Sequence, residues 1–193
     1  MWTIPADAAD LLSDAEIDAL AGPKRRMALR RPKAATPVGR GRDFALYVLR
    51  GGTEEGVADG ILCDDQGALI FSDIGENADE IAAFFEAVEG RERANGVTQI
   101  RVVAELPWEL SPQELRTIVD RYLAEFRLRR LPFVAAVHKP HVDTGSDPRN
   151  LHLHVLYHDR PASRTAPNTW KFDERKDREA RGISTSSSHT DRR

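Results

Sequence analysis

The strongest constraint in this chain is a pair of strand-like stretches carrying histidines in register with the pleat. Phe133-Val134-Ala135-Ala136-Val137-His138 is a continuous apolar run ending on a histidine. After a polar loop comes Asn150-Leu151-His152-Leu153-His154-Val155-Leu156-Tyr157-His158-Asp159-Arg160. In the second stretch Leu151, Leu153 and Val155 alternate with His152 and His154. Side chains two apart on a strand share a face. The loop from Lys139 to Asn150, rich in Asp, Gly, Pro and Asn, is suited to turning the chain back. Paired in this way, His138 meets His152 and His154, and three imidazoles on a rigid sheet can hold a divalent ion with positions left open for substrate. The predicted metal ligands are therefore His138, His152 and His154. Asn150 can support the loop or a ligand, and His141 and His158 are less well placed.

The rest of the chain supplies a domain around that hairpin. Its 193 residues, 40% apolar and 31% charged, suffice for one soluble α+β domain with a real core. No apolar run reaches membrane-spanning length and no basic-then-apolar leader opens the chain, so a cytoplasmic protein is expected. A single cysteine, Cys63, excludes an internal disulfide and a thiolate metal cluster. The net charge of −3 does not advertise nucleic-acid binding, but Lys24 to Arg42 gathers eight cations and no acid. Such a run can follow a phosphate backbone or be a solvated linker.

Asp7 to Leu20 reads as acidic amphipathic helix, with Ser13 and Glu16 in a capping-box pattern. Phe44 to Leu49 reads as a strand, and Ile61 to Phe71 as a hairpin turning at Asp64–Gly67. Asn77 caps a helix with Ile81, Phe84, Phe85 and Val88 on one face. Thr98 to Leu106 reads as a strand. Ser111-Pro112-Gln113-Glu114 starts a helix whose stripe of Leu115, Ile118, Val119, Tyr122, Leu123 and Phe126 is a core face. The predicted architecture is an antiparallel β-sheet with helices packed on one face. Its predicted bounds are 43–162, preceded by a helical and basic extension (1–42) and followed by a polar tail (163–193) expected to lack fixed structure.

Two blocks together resemble the MobA/MobL group of conjugative relaxases, which are HUH endonucleases. One is Ala104-Glu105-Leu106-Pro107-Trp108-Glu109-Leu110-Ser111, a strand running through Leu-Pro-x-Glu-Leu into a helix. The other is Ala136-Val137-His138 with Asn150-Leu151-His152-Leu153-His154, closing on Arg160. The resemblance covers Phe44 to Arg160. It implies an antiparallel sheet flanked by helices, with Mg²⁺ or Mn²⁺ on His138, His152 and His154. It also implies a tyrosine that attacks a phosphate of single-stranded DNA at a transfer origin during plasmid mobilization and stays on the 5′ end. Arg40, Arg42 and Arg160 are the DNA-contacting cations under this reading, and other relaxosome proteins are the further partners. The family's tyrosine lies on a helix after an opening strand, in an Ala-Ala-Tyr-Arg-x-Gly motif that this sequence lacks. Of the three tyrosines, Tyr122 is on the core stripe and Tyr157 has the wrong strand parity. Tyr47 is the N-terminal candidate, either as nucleophile or as a strand residue packed on the sheet. Three readings stay open: an active relaxase, a degenerate relative serving as a DNA-binding accessory module, and a small metal-dependent hydrolase unrelated to DNA.

Overall fold

In chain order the elements are β1 (Ala28–Arg30), α1 (Arg40–Leu49), β2 (Cys63–Asp64), β3 (Gly67–Ala68), β4 (Ile70–Ser72) and α2 (Ala78–Arg91). They continue with β5 (Ile100–Glu105), α3 (Pro112–Leu128), β6 (Phe133–His138), β7 (His152–Tyr157), β8 (Ala162–Ala166) and β9 (Thr169–Phe172). The structure is a computed structural model and describes residues 28–30, 40–49, 60–93, 96–140 and 147–180. Five strands form one sheet in the order β1-β5-β7-β6-β4, every neighbour antiparallel. The fold is thus α+β, as the sequence predicts. The β2–β3 pair is the predicted hairpin.

Helices cover both faces of the sheet, not one. Phe133, Ala135, Val137, Leu153, Val155 and Tyr157 pack with Leu115, Val119, Leu123 and Phe126 of α3. Val134, Ala136 and Leu156 point the other way, against Ala45 and Val48 of α1 and Ile81, Phe84, Phe85 and Val88 of α2. Every residue of β6 is buried. An unbroken apolar run is the mark of a strand covered on both sides, whereas a one-faced sheet would show alternation.

The two predicted helix starts are in place. Asn77 accepts a hydrogen bond from the Glu80 amide (2.9 Å) at the start of α2. Ser111 and Glu114 form a reciprocal capping box at α3. Each satisfies amides that a helix start otherwise leaves without partners.

Three expectations are corrected. Phe44 to Leu49 is not a strand but most of α1: Gly41, Ala45 and Val48 are its buried positions, spaced i, i+4, i+7. The proposed 42/43 boundary falls inside that helix, and the basic extension contributes β1, which pairs Leu29 with Val102 of β5. The segment after residue 162 is not a structureless tail as far as Ala180. Strands β8 and β9 pair, with Asn168 at positive φ in the turn. Trp170 and Phe172, two apart and so on one face, lie 5.3 and 5.5 Å from the Phe84 ring. The Trp170 indole N–H donates to the Ile74 carbonyl (2.8 Å). The helix expected at Asp7–Leu20 and the stretch 181–193 lie outside the described residues.

Candidate metal centre

The β6–β7 ladder places His138 directly opposite His152, and Ala136 opposite His154. Strand parity then puts all three imidazoles on the α1/α2 face. Their ring centroids lie 4.5 Å (His138–His154), 4.8 Å (His152–His154) and 5.5 Å (His138–His152) apart. One nitrogen from each falls within 4.8 Å of the others. Three nitrogens about 2.1 Å from one shared ion can all be no more than about 3.6 Å apart, so binding an ion would require the widest pair to close by about 1 Å. His138 is fully buried, His154 nearly so and His152 half-buried, so the group opens to solvent on the His152 side.

Backbone carbonyls fix which ring nitrogens are available. The Val48 carbonyl lies 2.7 Å from His138 Nε2. A carbonyl only accepts, so Nε2 carries the proton and the lone pair is on Nδ1. The Asn150 carbonyl lies 3.0 Å from His152 Nδ1, which leaves the lone pair on Nε2. Metal-binding histidines are oriented by this kind of outer hydrogen bond. The donor set therefore fits a divalent ion. The Val48 carbonyl also belongs to the last turn of α1, where such groups lack intrahelical partners and gather partial negative charge. That end of the helix favours a cation nearby.

Helix α1 also delivers Tyr47. Its ring centroid lies 5.6 Å from His154 and 5.9 Å from His138, edge-on to both. The residue is 45% exposed, so the phenol is not sealed in a core. Phe44, one turn back, stacks on Tyr47 (5.3 Å) and is capped by the Arg101 guanidinium 3.6 Å above its ring. Tyr157 donates to the Ala180 carbonyl within the opposite core, and Tyr122, on α3, packs against that same core.

Arg42 and Arg160, two of the three predicted DNA-contacting arginines, do not converge here. Arg160 is held by Glu92 (2.8 and 2.9 Å) and by the carbonyls of Asp173 and Glu174, beyond the far end of β7. Arg42 pairs with Glu86 of α2 at 3.4 Å. Arg40 opens α1, but its side chain lies outside the described residues, as does His141. His158 belongs to the Glu92 network rather than to the triad.

No protein-family model matches the chain, and no curated protein matches it. Sequence reasoning missed Phe44, Arg101 and the Val48 carbonyl. The Gly41, Ala45, Val48 spacing was the signal for the helix that carries two of them. Arg101 shows no sequence signal beyond the parity that places it on the histidine face of β5.

Proposed function

We propose that this protein is a metal-dependent relaxase-type DNA strand transferase, resembling the MobA/MobL group, acting on single-stranded DNA at a transfer origin. The observation that carries the reading is Tyr47, set edge-on to two of three clustered imidazoles by a helix that follows a strand. The order strand, helix with tyrosine, histidine hairpin is the order the resemblance implies, although the residues around Tyr47 do not match the family's motif.

In this reading His138, His152 and His154 would hold the ion, with the protons of His138 and His152 set as described. The bound ion supplies charge neutralisation at a non-bridging phosphate oxygen. The Tyr47 oxygen attacks phosphorus as its hydroxyl proton passes to solvent, the bond to the 3′ oxygen breaks, and that oxygen leaves as a hydroxyl after taking a proton from solvent. The 5′ end remains joined to Tyr47. The Phe44 stack, fixed by Arg101, limits the orientations the phenol can take. Of Mg²⁺ and Mn²⁺, Mn²⁺ is the better match, because imidazoles suit transition ions and Mg²⁺ prefers oxygen ligands. Other relaxosome proteins are the expected partners in the cell.

The test is end-labelled single-stranded DNA incubated with the protein and Mn²⁺. A protein–DNA adduct that forms with the wild type and is lost in Tyr47→Phe is the expected outcome. Binding without an adduct would instead identify an accessory module, and hydrolysis of small esters alone would identify an unrelated hydrolase.

A further inference from the structure

At the His152 end of β7 lies an open polar cleft of about 390 Å³ lined by Glu105, Trp108, Asp147, Arg149 and Asn150 among others. Two links attach it to the triad. Glu105 is the direct cross-strand partner of His152, and side chains so opposed have Cβ atoms about 4.5–5.5 Å apart. Asn150 supplies the carbonyl that orients the His152 ring.

The walls of the cleft are held in place. The β5–β7 ladder continues past the strands through the Leu106 amide on the Leu151 carbonyl (2.9 Å). Trp108 then sits in a turn closed by Leu110 on Pro107, just before the α3 capping box. Its indole is 48% exposed instead of joining either core. Arg149 pairs with Asp147 through two hydrogen bonds (3.0 and 2.8 Å), which orients its planar guanidinium. Among the described residues Glu105 has no hydrogen-bond or ion-pair partner. The volume is that of a small-ligand pocket.

We infer that this cleft is a subsite for one unpaired base of a DNA single strand whose phosphate lies at the three histidines. The base stacks on Trp108, as bases do on exposed aromatic platforms. Glu105, which only accepts, favours a base with two adjacent N–H donors on its pairing edge, as guanine has. The inference rests on the single-stranded DNA reading above.

The test is fluorescence anisotropy of the full chain with Mn²⁺ and dye-labelled single-stranded oligonucleotides, oligo-dT with or without one central guanine. The wild type is expected to bind the guanine-containing strand more tightly. Trp108→Ala is expected to weaken that binding about tenfold, with Trp108→Phe retaining most of it and the melting temperature unchanged. Glu105→Gln is expected to erase the guanine preference while keeping affinity for oligo-dT. Wild-type binding that Trp108→Ala leaves unchanged overturns the subsite alone. No binding of any single strand by the wild type overturns the DNA reading and the subsite with it.

Discussion

At His138 and His152 the proton and the lone pair are assigned to opposite nitrogens by two carbonyls, Val48 on Nε2 and Asn150 on Nδ1. The proton on each of these two rings is therefore placed before any ion arrives. Removing one of three ligands should show directly: His152→Ala is expected to weaken divalent-ion affinity at least tenfold by calorimetry, and unchanged affinity would exclude the site. The same titration should rank Mn²⁺ well ahead of Mg²⁺; the reverse order would mean that oxygen ligands, not these imidazoles, dominate. The three histidines were legible in the sequence because strand parity and one return loop suffice to bring them together. Arg160 was not, since its role depends on Glu92, 68 positions away.

Helix α1 was the least legible element, and the reason is its composition. Phe-Ala-Leu-Tyr-Val-Leu is rich in the aromatic and branched residues that favour strands. Tertiary packing decides otherwise: the helix lays Ala45 and Val48 on the sheet and brings Gly41 against α2. A Cβ at Gly41 would lie 3.0 Å from Glu89 Oε1 and 3.1 Å from Phe85 Cβ, tighter than ordinary contact. Gly41→Val is expected to cost about 1–3 kcal/mol by overpacking, read as a lower melting temperature. An unchanged melting temperature would contradict the close α1–α2 approach. The β8–β9 hairpin was overlooked for a related reason. Its apolar content is two aromatics in a polar stretch, and their partner Phe84 lies in a distant helix. By contrast, α2, β5 and α3 read correctly because caps and periodicity are local signals.

Across the whole molecule, the end of the sheet remote from the histidines is knit by ionisable groups from three parts of the chain. Glu92 follows α2, His158 and Arg160 follow β7, and Lys176 comes from the C-terminal segment. Lys176 also binds Asp159 at 2.9 Å. Burial lowers the pKa of His158, with Glu92 working against it. For Glu92, burial opposes ionisation, but hydrogen bonds from His158, Arg160 and Lys176 outweigh it and hold the carboxyl at about 2. In both cases the unfolded chain binds protons more readily than the folded one, so acid destabilises. Stability should fall as pH drops below about 6.5, where an unfolded histidine charges, and again from about 4.5 toward 2, where Glu92 is neutralised. Glu92→Gln is expected to remove the second phase and to cost about 3 kcal/mol or more at neutral pH, by leaving Arg160 and Lys176 facing a neutral group. A melting temperature flat from pH 7 to 3 would refute the account. The Val48–His138 hydrogen bond has a consequence of its own. It ties the seating of the tyrosine helix to the ring that would carry the ion, and such linkage is reciprocal. Whatever factor by which the cation slows hydrogen exchange through cooperative opening of α1, loosening that helix must relax the cation's grip by the same factor.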